Sequence, residues 1–420
     1  MIVNFSVKNY KSIKEEIVLI MQTAAMKEIY DLPSQAFISV GPSLDLTLSA
    51  VIYGANASGK SNLLDALMYM KFHIQTSMAM GAGAKVPVEP FRLSTVTENE
   101  PTEFEISFVA KNKLFRYGFS ATRDKVIEEW LYEKELKPKA KEKELFYREN
   151  ETLKYHPSLY KIGKLISDQK LAKDTVLILT LGYQLNDELS KDIMDWFVTV
   201  SCLHGHREEG YSYFSAEQTT KQTALSGAIA DFMKYADTGI TTLSSAIVLD
   251  KQEILSHHTQ FDQNGKEAGE KTFIMSEQES AGTKKFYHLI GPILHTLKEG
   301  LILTIDELDA QLHPNLLALL VRMFQDRNIN RKGAQLIFTA HNTNLLNEKL
   351  FRRDQVWLTD KDRFGVTSLY AITDFKTDKG NKARNKEAIG QNYINGKYGG
   401  VPFLGDFENF LDNYADELQG

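Results

Sequence analysis

The chain has 420 residues, 43% hydrophobic and 25% charged, an ordinary composition for a globular protein. Its net charge of −6 excludes a global basic field, so contact with nucleic acid would need local patches. A single cysteine, Cys202, excludes an internal disulfide framework and a cysteine-built zinc site.

The chain opens on a strand pattern, Met1-Ile2-Val3-Asn4-Phe5, not on the basic segment and apolar core of a signal peptide. No apolar run approaches a membrane span, so a cytoplasmic protein with no membrane contact is expected. Residues 2–8 and 16–21 read as strands and 22–45 as a loop. An apolar β-type segment, Leu46 to Tyr53, then runs into Gly54-Ala55-Asn56-Ala57-Ser58-Gly59-Lys60-Ser61, which fits G-x-x-x-x-G-K-[ST]. Asn62 opens a helical pattern to Phe72 with Leu63, Leu64, Leu67 and Met70 on one face.

Strand, glycine loop, helix is the context that makes this pattern a phosphate-binding loop. Backbone N–H groups wrap the β-phosphate and the helix N-terminus adds partial positive charge. Lys60 is placed to reach the β- and γ-phosphates, and Ser61 to bind Mg²⁺.

Gly81-Ala82-Gly83-Ala84 reads as a flexible stretch. Alternation of Phe104, Ile106 and Phe108, then of Phe115, Tyr117 and Phe119, predicts a hairpin, with a third strand near Val126 to Tyr132. Lys134 to Lys143 is lysine-rich with interspersed glutamate and reads as a solvated helix face or loop. Helices are expected near 160–172, 187–199 and 217–235, a strand near 241–249, and a loop over 256–270.

From 271 the chain alternates β and α, which implies a parallel sheet. The elements are a helix over 281–298, a strand Leu301 to Ile305, a helix over 314–327 and a strand over 335–339. A helix near 343–349 and strands near 355–359 and 366–371 follow, and then a polar stretch, 376–390. The strand at Ile305 emits Asp306 and Glu307, two carboxylates at the end of a buried run. Asp306 is placed to hold Mg²⁺ opposite Ser61, and Glu307 to polarise an attacking water. His341, at the end of the next strand, can sense the γ-phosphate or that water. Glu279-Ser280-Ala281-Gly282-Thr283 opens a helix and reads as a second anion-binding terminus or an ordinary N-cap.

In this order the motifs resemble the ABC/SMC-type ATPase superfamily. Gly54–Ser61 resembles its Walker A, Leu301–Glu307 its Walker B with the catalytic glutamate, Leu308-Asp309 its D-loop and His341 its switch histidine. Ser280-Ala281-Gly282 stands where the signature motif would, keeping the serine and a glycine but not the glutamine. No Q-loop glutamine is assigned; Gln75 lies on the first helix. Phe5 with Val7 to Ile13, Leu312-His313-Pro314, Arg353 to Trp357 and Tyr393 to Pro402 resemble the RecF/OLD-related branch, and within it the RloA/AbiL-type ATPases of phage-defence loci.

The resemblance implies an α/β ABC-type head, with a mixed sheet, flanking helices and an antiparallel β subdomain. It implies an N-terminal lobe at 1–133, a mainly helical insertion at 134–270 and a C-terminal lobe at 271–420. It implies ATP and Mg²⁺ as ligands, with Gly54 to Asn62 binding nucleotide and Ser280, Gly282 and Asp309 completing the site. The signature acts in trans in that superfamily, so a homodimer or larger oligomer is implied. So are a separately encoded effector, nuclease or toxin, and a phage protein as trigger. Asp354, Asp360, Asp362, Asp374 and Asp378 show no nuclease pattern. The alternative is a RecF-like DNA-binding ATPase using Lys134 to Lys143 and Lys376 to Lys386. The amino-terminal strand and divergent signature argue against a transporter subunit.

Overall fold

The computed structural model describes residues 1–24, 36–79, 85–204, 210–236, 238–347, 350–375, 389–401 and 414. Strands β1 (Ile2–Lys8) and β2 (Ile17–Ile20) come first, then the hairpin β3 (Phe37–Gly41) and β4 (Leu44–Thr47). β5 (Ser49–Gly54) runs through a tight loop into α1 (Lys60–Thr76). A meander follows: β6 (Thr102–Ala110), β7 (Lys113–Ala121), β8 (Val126–Glu135), β9 (Lys143–Glu149) and β10 (Thr152–Tyr155).

Helices α2 (Ile162–Asp168), α3 (Ile178–Gln184) and α4 (Glu188–Val198) precede β11 (Val200–His204). Helices α5 (Ser212–Thr220) and α6 (Ala224–Tyr235) precede β12 (Ile240–Val248), β13 (Lys251–Phe261) and β14 (Glu267–Ile274). The chain continues with α7 (Met275–Gln278), α8 (Ala281–Glu299), β15 (Ile302–Asp306), α9 (Pro314–Gln325) and β16 (Gln335–Thr339). It closes with α10 (Asn344–Asn347), β17 (Val356–Lys361), β18 (Thr367–Ala371) and α11 (Ile389–Ile394).

The site is carried by a six-stranded sheet of order β11-β15-β16-β5-β17-β18. Its pairings are parallel except for β17 with β18. The central strands β15, β16 and β5 are buried on both faces, which is why they read as mainly apolar runs. Alternation sends Ala50 and Ile52 of β5 into one core and Val51 and Tyr53 into the other. β16 divides likewise, Ile337 to the first core and Leu336 and Phe338 to the second. The first core lies under the antiparallel sheet β10-β9-β8-β7-β6-β1-β2, where Phe104, Ile106 and Phe108 share the buried face. α1 buries Leu63, Leu64, Leu67, Met70 and Ile74 there. The second core takes Phe286, Leu289, Ile290 and Ile293 of α8 and Leu317, Leu320 and Val321 of α9.

The expected α/β class with its antiparallel subdomain is therefore present. Residues 134–270, expected as one mainly helical insertion, are instead mixed. They hold α2 to α6, but β9 and β10 extend the antiparallel sheet and β11 pairs with β15 inside the core sheet. The loop expected over 256–270 is most of the β13–β14 hairpin, whose residues pair from Leu255↔Ile274 to Phe261↔Glu267. Its strands escape the periodicity test because β14 is exposed over most of its length, so no apolar face marks it. Asp262 Oδ1 closes the turn by accepting from the N–H groups of Asn264 and Lys266.

Of the loop expected over 22–45, residues 25–35 lie outside the described residues, and the rest contains β3 and the start of β4. The helix expected over 217–235 is broken between α5 and α6. Lys134 to Lys143 form the end of β8, a turn and the start of β9. Residues 81–84 and 376–388, and with them Lys376 to Lys386 and Asp378, lie outside the described residues, as does Pro402. Among the described residues no helix is long and apolar enough to cross a membrane.

Candidate functional site

β5, an interior strand flanked by β16 and β17, delivers the phosphate loop at its carboxyl end. Two glycines are required by what surrounds them. A Cβ on Gly54 would collide with the Thr359 backbone and with the hydroxyls of Thr359 and Ser58. Gly59 has φ +108° and abuts the side chain of Thr367. The loop is braced from the β17–β18 hairpin. The hydroxyls of Ser58 and Thr359 lie 2.6 Å apart, and Thr367 Oγ1 donates to the Ser58 carbonyl at 2.9 Å. Ser12, in the segment after β1, lies 2.7 Å from Thr367 Oγ1 and accepts from Asn62 Nδ2 at 2.6 Å.

Lys60 donates to the carbonyls of Gly54 at 2.8 Å and Ala55 at 3.0 Å. Burial pushes its pKa down, while Glu307, Asp306 and Asp309 pull it up. A desolvated ammonium held by two loop carbonyls and in the field of three carboxylates suits a phosphate with a divalent cation beside it.

The opposing wall comes from the ends of β15 and β16. Thr339 is fully buried, and its hydroxyl donates to Asp306 Oδ1 at 2.6 Å and accepts from the Glu307 N–H at 2.7 Å. Glu307 has φ +55°, a left-handed conformation that costs a non-glycine residue about 1–3 kcal/mol unless its surroundings hold it. The hold is visible: Leu308 N–H donates to the Thr339 carbonyl at 3.1 Å. Asp309 Oδ2 accepts from the N–H groups of His341 at 2.8 Å and Asn342 at 2.6 Å. The turn aims Glu307 at His341, whose Nε2 is 3.5 Å from Glu307 Oε1.

These walls enclose a cleft of about 470 Å³ lined by Asn56 to Asn62, Glu307, His341 and Lys361. The structure thus brings Ala57, Ser58, Gly59, Lys60, Ser61 and Asn62 together with Glu307 and His341. Asp306 stands behind Glu307, held by Thr339. Ser61 and Asp306 are the groups that could hold Mg²⁺. Among the described residues no cluster of three His, Cys, Asp or Glu could bind a metal, and Mg²⁺ held mainly by phosphate and water needs none.

Six residues expected in the site do not line the cleft: Gly54, Ala55 and Asp306, which border it, and Asp309, Ser280 and Gly282. Asp309 spends one carboxylate oxygen on the backbone of His341 and Asn342, which makes it a brace of that turn. Ser280 is exposed and caps α8, accepting from Thr283 N–H at 3.1 Å. Gly282 lies against the Gln311 carbonyl, next to the Asp309 turn of the same chain.

A family model described as AAA domain, putative AbiEii toxin, Type IV TA system matches residues 49–347, from β5 through α10. The chain belongs to this AAA family. No curated protein matches the sequence. Among solved structures, an SMC head domain from Thermotoga maritima aligns at TM-score 0.41 and 14% identity over 88% of this chain and 98% of its own. An SMC head bound to the C-terminal winged-helix domain of ScpA aligns at TM-score 0.41 and 15% identity over 88% and 97%. RecF with ATP, from the RecFOR pathway, aligns at TM-score 0.31 and 14% identity over 88% and 97%. Similarity at that level carries no functional inference.

In this AAA chain, several residues shape the site without any mark in the sequence. Ser12, Thr339, Thr359 and Thr367 are single hydroxyls in ordinary strands and loops, and Lys361 is one lysine among many. The C-terminal aspartates have structural tasks. Asp354 pairs with Arg352 at 2.8 Å, Asp362 closes the β17–β18 turn, and Asp374 caps the end of β18.

Proposed function

We propose that the chain binds and hydrolyses ATP with Mg²⁺, and that the cycle switches a separately encoded effector in prokaryotic antiphage defence. The observation that carries the ATPase reading is the cleft itself: a phosphate loop faces Glu307 and His341 across one cavity. Lys60 and the loop N–H groups would bind the β- and γ-phosphates. Glu307 would take the proton of the attacking water, with His341 fixing its carboxylate. Mg²⁺, held by Ser61 and Asp306, would neutralise charge developing on the phosphates.

Ser280 and Gly282 lie outside the cleft of their own chain and Ser280 is exposed, which supports a site completed by the signature helix of a second copy. ATP would then join two subunits and hydrolysis release them, a two-state switch driven by phosphate contacts. The toxin–antitoxin wording of the matched family is in keeping with a defence role. The test is phosphate release from ATP by the purified chain, with phage plating on cells carrying its locus. Absence of Mg²⁺-dependent hydrolysis by wild type under all conditions that support ATP binding would sink the enzyme reading. Protection unchanged by Lys60→Ala would sink the switch.

One observation favours DNA binding as a second reading. Lys134, Lys137 and Lys139 line a cleft of about 310 Å³ beside the Gly41-Pro42 turn, although Lys137 already pairs with Glu135 at 2.7 Å. Duplex DNA affinity falling steeply with salt, and lost when these three lysines are replaced, would support it.

A further inference from the structure

β17 has two different faces at the nucleotide cleft. Its register with β5 runs Val356↔Val51, Trp357↔Ile52, Leu358↔Tyr53 and Thr359↔Gly54. Thr359 therefore stands at the mouth of the phosphate loop, and its hydroxyl meets Ser58. Side chains two residues apart in a strand share a face and are separated by ~7 Å. Lys361 thus follows Thr359 on the face turned to the loop, beyond the point where β5 ends at Gly54. Asp360, between them, belongs to the other face and lies against the would-be side chain of Gly399.

The strand end is held in place on both sides. Lys361 pairs in register with Thr367, whose hydroxyl binds the Ser58 carbonyl and neighbours Ser12. The Gly399-Gly400 turn, with φ +69° and +68°, packs against the Tyr370 hydroxyl and the Thr359 carbonyl, where no side chain fits without displacement. The Tyr393 hydroxyl ties that turn down by donating to the Gly400 carbonyl at 3.0 Å.

Lys361 is exposed and lines the cleft with Asn56 to Asn62, Glu307 and His341. No ion pair with a described carboxylate engages its ammonium, so the charge is available to a ligand. Lys60 sits at the floor of the same cleft, buried and bonded to the loop. A solvent-exposed ammonium at the rim and a desolvated one at the floor make two cationic contacts for one polyanion.

We propose that Lys361 is a nucleotide-binding residue, its ammonium contacting an anionic oxygen of the bound nucleoside triphosphate from the β17 side of the cleft. This rests on the ATP reading of the site. Because Lys361 is solvent-exposed, its contribution falls as salt rises.

The experiment measures the affinity of full-length wild type, Lys361→Met, Lys361→Arg, Lys361→Glu and Lys60→Ala for a non-hydrolysable ATP analogue with Mg²⁺. Titrations are run at low and high salt, with thermal melting in parallel. Lys361→Met, which keeps the aliphatic stem, is expected to weaken binding ~10-fold at low salt, the size of one charge-assisted contact. Lys361→Glu should weaken it further, Lys361→Arg should stay close to wild type, and the difference should shrink at high salt. Melting midpoints should not move, which separates charge from a structural role. If wild type binds the analogue and Lys60→Ala does not, but Lys361→Met binds within twofold of wild type, the role of Lys361 is overturned and the ATP reading stands. Equal losses in Met, Arg and Glu variants with lowered melting midpoints also overturn it. If wild type fails to bind at all, the ATP reading itself fails.

Discussion

Glu307 Oε1 stands 3.5 Å from His341 Nε2, and the two residues project from the ends of β15 and β16, which pair in parallel register. Neither strand could place this pair alone. The left-handed turn at Glu307, held by Thr339 and Asp309, directs the carboxylate across the strand gap toward the imidazole.

Glu307→Gln keeps size and hydrogen bonding but cannot accept a proton at neutral pH. ATP binding should be retained while turnover falls ~10²–10⁴-fold, the range of a lost general base. Single-turnover phosphate release together with nucleotide affinity checks this. Normal hydrolysis by the variant would remove Glu307 from the role of base.

Thr339→Val removes the hydroxyl shared by Asp306 and the Glu307 N–H. A lost buried hydrogen bond of this kind costs ~1–3 kcal/mol, and here it also frees the Glu307 turn. Turnover should drop with nucleotide affinity much less affected, and Thr339→Ser should restore it. A Val variant with wild-type turnover would show that the turn is held by other contacts.

Ser280→Arg should leave nucleotide binding by each subunit intact yet block hydrolysis, if the helix α8 terminus completes a partner's site. Mixing it with inactive Lys60→Ala protein should then recover part of the activity. Two inactive proteins that stay inactive when mixed, under conditions where wild type dimerises, would count against assembly in trans.

The β12–β14 sheet reaches the same terminus through Glu279. Its carboxylate accepts from Ser256 Oγ and lies 2.7 Å from His258 Nε2. His258→Ala should loosen the segment before Ser280 and lower the hydrolysis rate without changing nucleotide affinity in the monomer. Unchanged turnover would leave the Glu279–His258 contact with a purely structural task.

His73 on α1 is fully buried, stacked on Tyr69, and neither ring nitrogen has a hydrogen-bond partner among the described residues. Burial lowers its pKa from 6.5 to about 4. The unfolded chain therefore binds a proton that the folded chain refuses between those values. Its contribution is fully present above about pH 6.5 and is lost as pH falls toward 4, in total ~3 kcal/mol. Denaturant unfolding at pH 7.5 and pH 5 should show this slope, and His73→Phe should flatten it. An identical slope in both proteins would assign the pH dependence to other groups.

The local motifs were legible because their chemistry is written in neighbouring residues. Gly54 to Ser61 needs only its own strand and helix, and Asp306-Glu307 only the apolar run before it. β13 and β14 were not legible, since an exposed hairpin carries no apolar periodicity and is held by its backbone ladder. β11 was missed for the opposite reason: its place in the core sheet comes from pairing with β15, about a hundred residues away.

A phosphate loop, a pair of strand-end carboxylates and a histidine after the next strand can be read directly from neighbouring residues. What holds and completes them depends on how distant segments pack. Ser58 meets Thr359 across 301 positions of chain, Ser12 meets Thr367 across 355, and Lys361 comes to the cleft on the strand beside β5. A hydroxyl or an ammonium has no local pattern to betray its partner. Its role arises when strand order and register bring it within a hydrogen bond of a loop encoded elsewhere.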